Sequence, residues 1–284
     1  MRVFRPPATA RDEQLLRDAA RLLNRSALLL AGSVLADSGV EHYRGTFHNR
    51  AMVAPLVMST LSVIASVHGH ADDTPARHRL RDAVHVASAA TGLAGSAFHL
   101  YNVTKRVGRF SWHNLFYGAP LGAPVALLLS GALGAAGERM RDSPAAAPCI
   151  GGRPAGRVLA GLAAAGLVGT LGEVGLLHFR GAFQHRAMFA PLIAPPVAAL
   201  AAAHVALSRP RAARPFCRFW MRTTALLGLV GVAFHARGVA RQMGGWRNWS
   251  QNVLSGPPLP APPAFTALAI AGLAATALAE REGR

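Results

Sequence analysis

Lysine is nearly missing from these 284 residues: Lys105 is the only one. Acids are scarce too, 13 against 30 basic residues, so arginines carry almost all of a formal net charge of +17. Only 15% of residues are charged and 51% are hydrophobic. That excludes disorder, which needs few apolar groups and dense charge. Two cysteines, Cys149 and Cys217, stand far apart and outside any Cys-x-x-Cys pattern. They exclude a disulfide framework, a zinc ribbon and covalent c-type haem attachment. Glycine-rich phosphate loops, catalytic-triad motifs and zinc-protease motifs are also missing. What remains is a basic surplus that fits either a nucleic-acid partner or a membrane protein whose loops hold the charge.

The positions of the arginines decide between these. Six fall in residues 1–25, Ser26 to Ala36 is then uncharged and apolar, and similar apolar stretches recur at about 51–68, 84–101, 118–136, 156–177, 187–206, 221–236 and 262–279. Most approach the ~20 residues that cross hydrocarbon as helix. The pattern predicts an all-α polytopic membrane protein with eight transmembrane helices, a lipid bilayer around it and no nucleic acid. Eight spans put both termini on one side. The leader, the even loops and the C-terminus hold twenty basic residues, the odd loops ten. The excess places both termini in the cytoplasm and the odd loops outside the cell (inner) membrane. Tyr43, Tyr101, Tyr117, Trp112, Trp246 and Trp249 all fall at the outer edge, as an interfacial aromatic belt does.

The chain also repeats itself. Residues 42–56 match residues 178–192 at ten of fifteen positions, an offset of 136. The same offset pairs Asp37 with Glu173, His68 with His204, His99 with His235 and Lys105 with Arg241; a slightly larger one pairs Asn114 with Asn252. An even number of spans per unit makes the repeats parallel. The expected organisation is a cytoplasmic arginine-rich leader (1–25), a four-helix repeat (26–136), a cytoplasmic linker (137–155) and a second repeat (156–284). A cleaved signal peptide at the first apolar stretch is disfavoured, because its counterpart 156–177 lies mid-chain.

The outer ends kept His, Arg, Gly, Phe and Asn, while the inner parts of the helices drifted among Ala, Leu, Val and Gly. Packing alone tolerates apolar swaps of similar volume and gives no reason to keep His-x-Arg-Gly-x-Phe twice. Seven of twelve histidines lie at the outer edge, beside Asp37, Glu41 and Glu173. Ionisable groups at membrane depth usually face a bundle interior. The candidate site is therefore an outer pocket of His42, His99, His178 and His235, with Asp37 and Glu173 as proton partners and Arg44 and Arg180 as anion or quinone contacts. His48, His185, His68, His204, Lys105 and Arg241 are secondary members. The acids are expected to pair with outer arginines, Arg44, Arg50, Arg180 or Arg186 being nearest.

Several chemistries use such a set. Histidine, acid and arginine supply the hydrogen bonds and proton path of a quinone. Histidines on facing helices hold b-type haem; His42 with His99, and His68 with His85, have the right count, but Met221 stands where a second His85 would be. A dedicated metal site has weaker spacing, since only Asp37 and Glu41 are four apart. Parallel repeats also build small-molecule or anion transporters, although the midplane here is bland. A non-catalytic anchor or scaffold is the remaining class. The leading expectation is a membrane subunit of a redox complex that binds quinone, or haem b, near its outer face and docks an extracytoplasmic dehydrogenase. His68 and His204 read most simply as residues reaching the inner interface.

Overall fold

The structure, a computed structural model, describes residues 9–74, 76–118, 120–208 and 213–282. Residues 1–8 of the leader and 283–284 of the last segment lie outside the described residues. The chain is nearly all helical: α1 (Ala10–Arg44), α2 (Ala54–Ala71), α3 (Arg79–Thr104), α4 (Trp112–Tyr117), α5 (Gly122–Arg141), α6 (Ala155–Arg180), α7 (Ala194–Leu207), α8 (Ala213–Ala240), α9 (Trp249–Ser255) and α10 (Pro263–Glu282). Short 3₁₀ segments, Arg50–Val53 and Arg186–Leu192, precede α2 and α7, and a two-residue hairpin of β1 (Cys149–Ile150) and β2 (Arg153–Pro154) joins α5 to α6.

Helix α1 starts on a capping box, in which the Thr9 hydroxyl accepts from Asp12 N–H while Asp12 accepts from Thr9 N–H. It runs without a break from the arginine-rich segment into the first apolar stretch. Leu16, Leu23 and Leu30, with Ala20, Ala27 and Val34, recur every seven residues and are all buried. That stripe faces α5 and α10, and α6 in turn packs on α10 and α7. The four helices α1, α5, α6 and α10 supply most of one continuous core. Helices α2, α3, α7 and α8 lie around them.

The outer helices expose large apolar side chains: Val57, Leu61 and Ile64 on α2, Leu93 and Phe98 on α3, Leu200 on α7, Leu226, Leu229 and Val230 on α8. So wide an apolar surface suits a lipid environment and not water. Among the described residues five helical segments are long and apolar enough to cross a membrane: Arg50–Ala71, Ala155–Arg180, Arg186–Leu207, Arg214–Ala240 and Pro263–Arg281. This is the make-up of a multi-pass α-helical membrane protein. Helices α1, α3 and α5 cover the remaining apolar stretches but are more polar. The reason is visible for α1 and α5: their polar residues face protein. Ser26 Oγ donates to Ala267 O (2.6 Å), Ser33 Oγ to Pro260 O (2.5 Å) and Ser130 Oγ to Ala27 O (2.8 Å).

The alanine and glycine content has a packing cause. Where α3 crosses α5, a Cβ at Gly92 would stand 2.6 Å from Pro124 O, and one at Gly131 would run into the Ala89 backbone. Small residues let backbones approach and gain dispersion contact that lipid tails do not supply. The bundle has two distinct ends. The hairpin end carries the turns after α1, α3, α6 and α8. The terminal end carries the start of α1, residues 72–74 and 76–78, the linker after α5 and the end of α10.

Candidate functional site

At the hairpin end the motif His-x-Arg-Gly-x-Phe closes a specific turn, and does so twice. Helix α1 ends on Gly45 and α6 on Gly181. The next two residues, Thr46 and Phe47, then Ala182 and Phe183, all take positive φ, between 46° and 59°. Left-handed backbone costs a bulky side chain roughly 1–2 kcal/mol per residue, so the turn is held from outside. Phe47 N–H donates to His42 O (3.0 Å) and Phe183 N–H to His178 O (3.1 Å). Each phenylalanine ring stands edge-on to its histidine, at 6.2 and 6.4 Å between centroids.

The four principal histidines share one arrangement. Nδ1 bonds a backbone carbonyl in every case: His42 to Met52 O (2.7 Å), His99 to Pro120 O (2.7 Å), His178 to Met188 O (2.7 Å) and His235 to Pro258 O (2.6 Å). A carbonyl only accepts, so the proton sits on Nδ1 and Nε2 presents its lone pair. All four rings are half-buried. His42 and His99 are close enough to feel each other's charge, as are His178 and His235. Two histidine pairs result, one in each half of the chain.

Asp37 and Glu173, both half-buried, also lie within electrostatic reach of each other across the centre. Glu173 accepts from Gly122 N–H at the first turn of α5, where unpaired backbone donors favour a carboxylate. Gly122 is required there, because its Cβ would occupy the Glu173 carboxyl group. The expected arginine partners go elsewhere. Arg44 pairs with Glu41 (2.7 Å), on the exposed side of α1. Arg180 lies over the Phe116 and Tyr117 rings, 5.5 and 5.4 Å from their centroids. None of the ion pairs among the described residues involves Asp37 or Glu173. Arg44 instead lines an open depression of about 660 Å³ with Tyr43, Thr46, Phe47 and Leu254.

The secondary residues divide. His48 Nδ1 bonds Gly45 O (3.0 Å), and His185 caps the 3₁₀ segment by accepting from Ala187 N–H (3.1 Å). Lys105 rests over the Tyr101 ring at 4.5 Å, and Arg241 is exposed. His204 bonds Ser208 (3.1 Å) at the end of α7. His68 is different: its Nδ1 accepts from Arg81 (2.9 Å), and that contact leads into a buried ionic cluster at the terminal end.

Sequence reasoning missed this cluster. Arg81 (3% exposed) pairs with Glu138 (0%) at 2.9 Å and with Asp72 at 2.7 Å. Arg141 stands 3.6 Å from the other Glu138 oxygen and donates to the Asp72, Thr74 and Gly69 carbonyls. Asp82 pairs with Arg77 and Arg139. His78 N–H donates to Glu138 (3.1 Å), and Asn24 and His85 lie within the same buried region. Burial works to raise the Asp72 carboxyl, but the Thr74 N–H and hydroxyl and the Arg81 guanidinium hold it well below the usual range. The signal was present as Arg81-Asp82 and His85 at the start of one apolar run and Glu138 with Arg141 at the end of another. It was hidden because the residues at the matching offsets in the second half are neutral or apolar, apart from Arg218.

Among the described residues no three His, Cys, Asp or Glu side chains gather as a metal cage. Comparison with protein-family models, curated proteins and solved structures finds no match for this chain.

Proposed function

We propose that the chain is the membrane subunit of a redox complex that binds quinone at its hairpin end. In this reading eight spans form two parallel four-helix repeats in the cell (inner) membrane. The termini are cytoplasmic, and the hairpin end faces outward toward an extracytoplasmic dehydrogenase that delivers electrons. The observation that carries it is the set of four backbone-anchored histidines. Each Nε2 accepts from a quinol hydroxyl and, once protonated, donates to a quinone carbonyl. Reduction of a quinone takes two electrons from the dehydrogenase and two protons, which His42, His99, His178 and His235 pass on with Asp37 and Glu173 as exchange partners. Arg44 and Arg180 flank the histidine-bearing turns with positive charge.

The test is quinone extraction from gently solubilised protein with mass analysis. Quinone should accompany the wild type and be lost from His42→Ala/His178→Ala. Finding none in the wild type overturns the reading. The same geometry supports one other ligand, since an Nδ1–H held by a carbonyl is also how an axial histidine is oriented. A reduced-minus-oxidised optical spectrum separates them: a b-type Soret shift assigns haem to the His42/His99 or His178/His235 pair.

A further inference from the structure

The terminal-end cluster holds more polar groups than its own bonds satisfy. Asn24, His85 and Glu138 are each 0% exposed. Asn24 Oδ1, Glu138 Oε1, Arg141 Nε and both His85 ring nitrogens lack a hydrogen-bond partner among the described residues. Asn24 Nδ2 donates to Ala20 O (3.0 Å), which turns Oδ1 the other way, toward Gly69. Glu138 Oε1 reaches the same point. A Cβ on Gly69 would stand 2.5 Å from Asn24 Oδ1 and 3.0 Å from Glu138 Oε1. Two lone-pair oxygens that share so small a space need a hydrogen donor between them.

Arg141 Nε faces Glu138 Oε1 across 3.6 Å, beyond a direct hydrogen bond. One water would answer all three groups, donating its two hydrogens to Asn24 Oδ1 and Glu138 Oε1 and accepting from Arg141 Nε–H, the usual partner set of a buried water. His85 adds one N–H and one lone pair with nothing to meet them, and its ring lies flush on Gly134 of α5.

The second half shows that none of this is needed to pack the helices. At the matching offsets Ala160 replaces Asn24, Val205 replaces Gly69, Cys217 replaces Arg81, Met221 replaces His85 and Thr276 replaces Glu138. All five are buried, and Cys217 Sγ and Thr276 Oγ1 meet at 3.6 Å where the first half has its ion pair. A buried ion pair is weak evidence for stability, because well-packed neutral groups do as well or better.

We propose that the terminal end of the first half is a hydrated proton-binding site: water bridges Asn24, Glu138 and Arg141, and His85 binds the proton. The proton comes from solvent and returns to it, with no change of oxidation state. Glu138 and Asp82 favour the imidazolium, while the burial of the ring, first, and Arg81 oppose it; Asp72, Arg77, Arg139 and Arg141 are engaged in ion pairs within the same cluster. His68 and His78 are exposed, stacked edge to face at 5.6 Å, and His68 bonds Arg81, so the cluster meets solvent through them. His70 at the end of α2, bonded to Arg25 of α1 (3.3 Å), and Arg21 of α1, paired with Asp73, complete the rim.

The test uses the full chain with ¹⁵N-labelled histidine in bilayers, followed by magnetic resonance through a pH titration. His85→Met, the second half's own residue, assigns the His85 ring signals by their loss. The ring is expected to exchange with water and to take up a proton only as pH falls well into the acid range, because its burial opposes the charge. A ring that stays neutral and without water exchange throughout overturns the proposal. The transplant Asn24→Ala/Gly69→Val/Arg81→Cys/His85→Met/Glu138→Thr is expected to fold and to bind one proton fewer in that range. If it folds with proton uptake unchanged, the proposal also fails; if it does not fold, the wild-type titration still decides. Quinone content at the other end does not enter either readout.

Discussion

The terminal ends of the two halves are built from corresponding helices in different chemistry. In the first half Arg81, Glu138, Asp72 and Arg141 form a buried ionic network. In the second the same region is Cys217, Thr276, Met221 and Val205. The hairpin ends are the reverse. His42 and His178, His99 and His235, and the two left-handed turns repeat the same bonds to within about a tenth of an ångström. One end carries the same chemistry in both halves, the other in only the first. Packing explains neither choice alone, since the second half packs its terminal end without charge.

The largest effect that sharpens this contrast is loss of Glu138. Glu138→Ala takes the shared carboxylate from two buried arginines, leaving Arg81 with Asp72 and Arg141 with backbone carbonyls alone, and breaking such a buried pair costs about 3–5 kcal/mol. Thr276→Ala loses the hydrogen bond to Gly272 O (2.7 Å) and the weak one with Cys217 Sγ (3.6 Å), and should cost roughly 1 kcal/mol. Unfolding midpoints in detergent check both; equal losses would break the contrast. Next come the helix crossings, which both halves share. Gly92→Ala and Gly228→Ala each push a Cβ to within 2.8 Å of a carbonyl oxygen, Pro124 O and Pro262 O. Overpacking of this kind costs about 1–3 kcal/mol, and the two variants should fall together.

A smaller and equal effect is expected from the retained histidines. His42→Ala and His178→Ala each remove one bond to a methionine carbonyl, worth about 1 kcal/mol. If only one of the two lowers the melting midpoint, the halves are not equivalent at this end either. The smallest effect ties α1 to α10. Arg281 first, then the Thr9 N–H, holds the Asp12 carboxyl well below its ordinary 3.8. A depressed folded-state value stabilises above 3.8 and loses that contribution as pH falls toward the folded value. Asp12→Asn should therefore lower the melting midpoint slightly at neutral pH and not in strong acid.

The helices were legible from the sequence because apolar runs bounded by arginine are contiguous signals. All eight stretches fall on helices, and five of them meet the length and apolarity of a span. The three weaker ones carry more polar residues. Ser26, Ser33 and Asn24 lower the apolarity of α1, yet they face protein: Ser26 bonds α10, Ser33 the loop before it, and Asn24 stands against Gly69 of α2 and Gly137 of α5. The retained hairpin motif was legible too, since its turn involves residues within about ten of one another. The partners of the acids were not. Arg44 is nearest Asp37 along that strand of sequence but turns to Glu41, three residues away on its own helix.

The sequence by itself therefore determined the helical class, the apolar stretches, the match at an offset of 136 and the motif retained around His42 and His178. These depend on side-chain periodicity and on backbone geometry within a few residues. Only the tertiary structure decided which distant groups meet: Glu173 on the Gly122 N–H, Arg180 over Phe116, and Arg81 on Glu138, 57 residues apart. Those contacts follow from how close the helices pass, which the small residues between them set. A charge beside an apolar run looks like a loop until the neighbouring helix covers it.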